Sequence, residues 1–314
     1  MNAATRLVRS WTQLSPSERR EALAGYLFIS PWIVGFLVFF FGPIVASFAL
    51  SFTRWNIVGS PQWIGLGNYE RIFTQDPFFR KAVTVTLKYA VLYLPLEVVF
   101  GILIAVVLNQ KLRGIGLFRT MYYMPYIVPK VASSLVWVWV LNPRYGLLNT
   151  LLGWLGIKGP SWLADPDWVL PSIVMMSLWG VGGSAVIYLA GLQNVPAQLY
   201  EAASVDGANR FQQFVRITLP MLTPTIFFQL VLGLIGTFQT FTPAFIAAGR
   251  SGGPLQSGLF YMLYIYNRSF ESMRMGYGAA LAWIMTVFIM ILTVLVFRSS
   301  KYWVYYEAER KRTT

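Results

Sequence analysis

Apolar residues do not alternate along this chain; they come in long blocks separated by short polar joints. Six blocks predict helices that cross a bilayer, near Tyr26–Phe52, Val83–Leu108, Thr120–Leu141, Trp168–Leu192, Thr223–Ala247 and Tyr277–Phe297. A crossing needs about 20 apolar residues, because the hydrocarbon is about 30 Å thick and a helix rises about 1.5 Å per residue. The expected fold is therefore an all-α integral membrane protein with six transmembrane helices. Ahead of the first block, Ser15, Pro16 and Glu18 have the order of a helix cap, a first-turn proline and a capping box, and predict a short interfacial helix over Ser15–Ala24. The first apolar run is too long for a signal-peptide core and lacks a convincing cleavage site, so it reads as a retained span. The loop Thr53–Lys81 reads as an interface-hugging segment, and the outer loop Gly249–Met275 contains "GRSGGP", a flexible turn.

Composition narrows the picture. Of 314 residues, 56% are hydrophobic and 12% charged, where soluble domains carry about 25% charge. The net charge of +13 is spread over short loops and tails, with no basic stripe of the kind a nucleic-acid surface needs. Cysteine and histidine are both absent. Their absence removes disulfides, the usual zinc sites and Cys-His or Ser-His-Asp catalysis, so no catalytic or metal-binding residue is expected.

Charge also orients the chain. With both termini cytoplasmic, the inner segments hold more basic residues than the outer ones. Arg6, Arg9, Arg19 and Arg20 in the N-terminal arm and the closing Arg310-Lys311-Arg312 set the bias. The organisation expected is an arm and interfacial helix over 1–25, a membrane domain over 26–298 and a basic cytoplasmic tail over 299–314. No phosphate-binding G-x-x-x-x-G-K-[ST] loop is present, so any ATP must be bound by partner subunits.

The polar joint between the fourth and fifth blocks reads "EAASVDGANRFQQFVRITLP", Glu201 to Pro220. Ala202 and Ala203 favour a helix with a flat surface. Gly207 permits a turn that a Cβ resists, and Asn209 with Gln212 can form a second capping box. Phe211, Phe214, Val215 and Thr218 give the second helix an apolar face, and Pro220 and Pro224 are expected to break the chain direction at membrane re-entry. The product is a helix-turn-helix elbow joining spans four and five; an amphipathic loop resting on the bilayer shares the pattern. The full spacing of Glu201, Ala202, Ala203, Gly207, Ile217, Leu219 and Pro220 resembles the EAA loop of binding-protein-dependent ABC importer permeases. Two further stretches, "GIGLFRTMYYMPYIVPKVASSLVWVWVLNPRYGLLN" and "YNRSFESMRMGYGAALAWIMTVFIMILTVLVFR" followed by "WVYYE", are similar to the carbohydrate-uptake branch of that family, the maltose-transporter type. The match runs from about Tyr26 to Glu307 and leaves no room for the large extracytoplasmic domain of some members.

That resemblance implies a coupling loop over about 193–222, whose Glu201, Ala202, Ala203 and Gly207 dock on an ATP-hydrolysing subunit. It implies two ABC ATPase subunits that carry ATP and magnesium, a second and different permease chain, an extracellular solute-binding protein and a sugar substrate. It implies a multi-pass place in the plasma (inner) membrane of a bacterium or archaeon, with no cofactor in this chain.

In the fifth block Gln229, Gly233, Gly236, Thr237 and Thr240 share one helical face. Gly233 and Gly236 suit helix packing, while Thr237 and Thr240 suit solute contact; Gln239 lies off that face. In the fourth, Trp179, Gly180, Ser184 and Tyr188 offer a sugar surface, with Trp179 near mid-depth. Trp137 and Trp139 fit an interfacial aromatic belt. Glu97 and Lys130 fall at matching depth on adjacent spans and predict an intramembrane ion pair. Such a pair would neutralise Lys130 and tilt the solute towards a neutral sugar. The competing functional reading makes Glu97 the proton-relay carboxylate of a secondary transporter; a membrane enzyme lacks the converging acids and bases it needs.

Overall fold

The computed structural model describes residues 15–110 and 113–305. Arg6, Arg9, Glu307, Arg310, Lys311 and Arg312, used above, lie outside the described residues. Ser15 opens the first helix through a capping box: its hydroxyl accepts the Glu18 amide at 3.3 Å and the Glu18 carboxylate accepts the Ser15 amide at 2.7 Å. Helix α1 (Pro16–Phe36) then runs through a wide π turn at Leu37–Phe41 into α2 (Gly42–Ser51), giving one stretch of 36 residues. The separate interfacial helix expected over Ser15–Ala24 is thus the first part of a longer rod. Gly25 costs a helix only about 1 kcal/mol, too little to stop it ahead of a long apolar run.

An antiparallel ladder follows, β1 (Thr53–Arg54) on β2 (Gln62–Trp63), with Thr53 opposite Trp63. Then come α3 (Gly67–Gln75) and α4 (Pro77–Leu108). Next are α5 (Ile115–Ile127), α6 (Lys130–Val140), α7 (Leu147–Trp154), α8 (Pro166–Leu178) and α9 (Gly182–Gln193). After α10 (Ala197–Val205) and α11 (Arg210–Gln213), a π turn at Phe214–Thr218 leads into α12 (Leu219–Phe238). The chain ends with α13 (Thr242–Ala248), α14 (Tyr261–Tyr266) and α15 (Met275–Trp303).

The fold is predominantly helical. Among the described residues four helical stretches are long and apolar enough to cross a membrane: Pro16–Ser51, Pro77–Leu108, Arg210–Phe238 and Met275–Trp303. The pair α8–α9, bent by 49°, makes a fifth if counted as one crossing. The block Thr120–Leu141 is not one helix. Pro129 has no N–H to donate and disfavours a helical Val128, which is extended at φ −63° and ψ 132°. The block Thr223–Ala247 is likewise interrupted, between Phe238 and Thr242.

Helix α4 is the hub, packed against α8, α9, α12 and α14. One buried cluster joins Tyr89, Phe260, Leu263 and Leu281; a second joins Ile102, Leu108, Tyr188 and Leu222. Helix α14 lies in the loop Gly249–Met275, beyond its GRSGGP turn, and belongs to the first cluster because Tyr261, Leu263 and Tyr264 are buried there. Helix α9 presses so closely on α5 that a Cβ on Gly182 would overlap the Tyr122 carbonyl.

A polar knot holds the start of α4. Asp76 caps the helix, accepting the amides of Phe78 at 3.0 Å and Phe79 at 3.2 Å. The Tyr264 and Tyr277 hydroxyls both donate to its Oδ2, and Arg268 Nε donates to the Tyr264 oxygen at 2.8 Å. The Arg268 guanidinium also stands over the Phe78 and Tyr264 rings, at 5.7 and 5.1 Å. Four elements or their flanks are thereby tied to one carboxylate. Burial pushes the Asp76 carboxyl up, but the two tyrosine hydroxyls, the Phe79 amide and Arg268 more than reverse this and leave it below its ordinary 3.8.

A depressed carboxyl stabilises the fold above its unfolded pKa and loses that contribution as pH falls through its folded pKa. Stability in detergent should therefore fall as pH drops below about 4. Asp76→Ala should cost about 3 kcal/mol at neutral pH and flatten the acid limb, as read by thermal unfolding. Gly182→Ala should cost about 1–3 kcal/mol in the same measurement, because overpacking a backbone contact forces the two helices apart.

Candidate functional site

Three interruptions of the helical chain meet at one cavity. They are the Val128–Pro129 break between α5 and α6, the Trp179–Val181 bend between α8 and α9, and the Gln239–Phe241 break between α12 and α13. Pro125, Tyr126, Val128 and Lys130 reach the cavity from the first, Gly180 from the second, and Gln239, Thr240, Phe241 and Thr242 from the third. Helix α4 supplies the remaining wall with Tyr89, Tyr93 and Glu97. The space is about 380 Å³.

Its surface mixes rings and hydroxyls. Tyr89 and Tyr93 stack at 5.2 Å and 4°, and the Tyr89 hydroxyl donates to Ser177 Oγ at 2.8 Å. Ser133 and Ser134 reach it from α6, Thr237 from α12 and Thr240 from the break just beyond it. Thr237 Oγ1 donates to the Gly233 carbonyl at 2.6 Å and Thr240 Oγ1 to the Gly236 carbonyl at 3.3 Å, so each hydroxyl oxygen keeps acceptor capacity. Rings that cover apolar C–H faces, alongside donors and acceptors, suit a polyhydroxylated guest.

Of the residues expected on a solute path, Gly180, Thr237, Gln239 and Thr240 line this cavity, together with Gly233 and Gly236. Gly236 faces open space, since a Cβ there would meet nothing within 4 Å. Trp179, Ser184 and Gln229 are not among the lining residues. Trp179 is 55% exposed and reaches the site only through Trp137, whose ring it meets edge-on at 5.8 Å. Ser184 turns its hydroxyl to the Val181 carbonyl at 2.9 Å, packed beneath Gly101 of α4. Gln229 is buried on α12 outside the cavity. Trp137, assigned above to a membrane-interface belt, lines the cavity instead.

Glu97 and Lys130 both line the cavity but form no ion pair, against expectation. The expectation treated spans two and three as regular antiparallel neighbours. In fact α4 packs mainly on α9 and α12, and Lys130 opens a new helix after the Pro129 break, across the cavity. Glu97 is buried at 8% exposure, and its Oε2 has no hydrogen-bond partner; the buried Tyr188 hydroxyl has none either. Of the residues missed, Tyr89 and Tyr93 on unbroken α4 had no signal in the sequence, while Tyr126, Ser133, Ser134 and Ser177 had one. Each apolar block holding a break carries proline or glycine beside polar residues at mid-length: "VPK", "WGVGG" and "QTFTP".

At one end of α12 lies the segment Glu201–Pro220. Helix α10 carries Glu201, Ala202 and Ala203, and ends in a turn where Gly207 takes φ +79°, a left-handed value that suits glycine. Asn209 and Gln212 form a reciprocal capping box at 2.9 Å each way. The Gln213 side chain donates to Ser204 Oγ at 2.9 Å, and Tyr200 OH meets Thr218 Oγ1 at 2.9 Å, clamping the two arms. Val205 and Phe211 stay 88% and 75% exposed, an apolar pair with no cover in this chain. Ile217, Leu219 and Pro220 are half-buried where the second arm joins the body. Pro220 and Pro224 do not break the chain. The π turn at Phe214–Thr218 sends the Leu219 amide to the Phe214 carbonyl, and the helix continues through both prolines to Phe238.

Residues 97–304 match the family described as binding-protein-dependent transport system inner membrane component. The chain is 44% identical to a Bacillus subtilis (strain 168) protein described as the probable ABC transporter permease protein YesP, over 95% of this chain and 96% of that one. It is 34% identical to the lactose transport system permease protein LacF of Rhizobium radiobacter, over 92% and 98%. The structure superposes with TM-score 0.80 and 25% identity on a chain of a bacterial alginate ABC transporter, solved in complex with an alginate pentasaccharide-bound periplasmic protein, over 90% of this chain and 96% of that one.

The chain has no cysteine, so single cysteines report exposure cleanly. Cysteines at Ser133 and Thr240 should react with a charged thiol reagent about tenfold faster or more than cysteines at Gln229 and Ser184, because only the first two border the cavity. Equal rates at all four positions would mean the cavity is not wetted.

Proposed function

The chain belongs to the family of binding-protein-dependent transport system inner membrane components, whose members are non-catalytic, and from that premise we propose that it is the permease subunit of an ATP-driven sugar importer. LacF is named for lactose transport, and the alginate transporter is solved with an alginate pentasaccharide-bound protein, which supports a sugar or oligosaccharide as the solute. The cavity of stacked rings and hydroxyls supports the same reading.

Six crossings follow if α5–α6 and α8–α9 each count as one. Both termini and the Glu201–Pro220 elbow then lie on the cytoplasmic side of a bacterial or archaeal inner membrane. Two ABC ATPase subunits dock on the elbows of this chain and of a second, different permease, and a solute-binding protein delivers sugar from outside. The observation that carries this reading is mechanical. The elbow is clamped across its own turn, offers Val205 and Phe211 uncovered, and is continuous through the π turn with α12, which lines the cavity. ATP-driven closure of the ATPase pair would push this lever, and α12 would carry the displacement to Thr237 and Thr240. The solute path would then open outward and, after hydrolysis, inward. The relatives give no support to a proton-coupled carrier built on Glu97.

Cysteines at Ala203 and Val205 should form disulfides with cysteines in a groove of the ATPase subunit, and the yield should change with nucleotide. Glu201→Ala should lower sugar-stimulated ATP hydrolysis about tenfold while the complex still assembles. Failure of both positions to capture the ATPase in every nucleotide state would defeat the proposal.

A further inference from the structure

Tyr89, Tyr93 and Glu97 follow one another at four-residue steps on α4 and line one wall of the cavity. The two rings stack at 5.2 Å and suit the C–H face of a sugar. Beside them stands a carboxyl whose needs this chain does not meet. Glu97 is 8% exposed, and its Oε2 is buried without a hydrogen-bond partner. The donors around it are committed or out of reach. Ser184, the adjoining hydroxyl of α9, gives its proton to the Val181 carbonyl at 2.9 Å. The buried Tyr188 hydroxyl makes no hydrogen bond, and Lys130 stands across the cavity without pairing to the carboxyl. A carboxyl oxygen accepts a hydrogen bond whether the group is ionised or neutral, and the neutral acid donates one besides. A buried polar atom left without a partner is destabilising, and a guest hydroxyl supplies what is missing.

Helix α12 controls access to that atom. It crosses Glu97 at Gly233, itself a cavity-lining residue, where a Cβ would stand 3.0 Å from Leu94 Cδ2 and 3.7 Å from Glu97 Oε2. Bare backbone therefore covers the carboxyl, with no side chain between. Thr237, one turn further along α12, lines the same space. When α12 shifts away from α4, Oε2 opens towards the cavity and no side chain of α12 has to swing aside.

Resting on the sugar-importer reading, we infer that Glu97 is a specificity-determining residue of the solute site, which holds one sugar hydroxyl and is uncovered by the movement of α12 that the elbow drives. The Tyr89 and Tyr93 rings take the C–H face of the sugar, and the carboxyl reads its edge. A site built to bond a hydroxyl rejects the analogue that lacks it far more sharply than an apolar wall rejects a missing methylene.

The test uses the assembled transporter, with its ATPase subunits and solute-binding protein, in vesicles. A panel of mono-, di- and oligosaccharides, lactose and an alginate pentasaccharide among them, is screened for ATP-driven uptake. The monodeoxy analogues of a sugar that is taken up are then compared. Taking each variant as a ratio to the wild type cancels the selection made by the solute-binding protein. Glu97→Leu should lower uptake of the full sugar about tenfold or more, yet leave one monodeoxy analogue, the one without the hydroxyl that meets the carboxyl, within about twofold of the wild type. Glu97→Gln, isosteric and still an acceptor, should show the same pattern in smaller degree, and it carries the comparison if the leucine variant does not assemble. The chain has no cysteine. A cysteine placed at Glu97 should therefore react with a charged thiol reagent at rates about tenfold or more apart in the nucleotide-free and ATP–vanadate-trapped complexes. Equal losses across all the monodeoxy analogues, wild-type uptake by Glu97→Leu, or a cysteine equally reactive in both states overturns the inference and leaves the importer reading standing. Absence of ATP-driven uptake for every sugar overturns both.

Discussion

Inside hydrocarbon a backbone that leaves the helix loses its hydrogen bonds and finds no water to replace them. The interior of this protein is arranged around that constraint. Its apolar stretches are interrupted at Val128–Pro129, at Trp179–Val181 and at Gln239–Phe241, and residues flanking all three interruptions line the same polar cavity. Irregular backbone is concentrated where it can be hydrated or can meet a guest, and the uninterrupted helix α4 forms the wall that holds it in place. A cavity made this way exposes carbonyls, amides and small side chains at mid-depth, which an unbroken bundle does not.

Two polar clasps flank the cavity. At the start of α4, Asp76 gathers the hydroxyls of Tyr264 and Tyr277 and, through Tyr264, the guanidinium of Arg268. At the elbow, Tyr200 and Thr218 lock one arm to the other. Between them the close backbone contact of Gly182 on Tyr122 and the seating of the Tyr188 ring against Gly101 tie α9 to both α5 and α4. Motion applied at the elbow therefore meets stiff connections rather than slack ones.

The long helices were legible in the sequence because twenty-residue apolar blocks leave little else for the chain to do, as in Pro77–Leu108 and Met275–Trp303. Local chemistry was legible too: Ser15 with Glu18, and Asn209 with Gln212, form the capping boxes their spacing specifies. What escaped was what depends on neighbours. Hydropathy does not register Pro129 as a break when apolar residues flank it, so Lys130 was placed opposite Glu97 on a regular neighbour. Trp137 looked like a boundary residue until α6 proved to be short and to turn it inward. The Asp76 knot joins residues far apart in sequence, and no local pattern announces it. Pro220 and Pro224 signalled a break that a preceding π turn made unnecessary.

That π turn also sets an angular relation. A helix advances about 100° per residue, and the wide turn at Phe214–Thr218 holds one residue more than a regular one. Everything beyond it is rotated about the axis relative to the elbow by that single step. The lever and the threonines at the far end of α12 are therefore indexed to each other like a key cut to a fixed phase. A lineage that lost one residue there could keep every contact at either end of the rod and still point its hydroxyls at lipid.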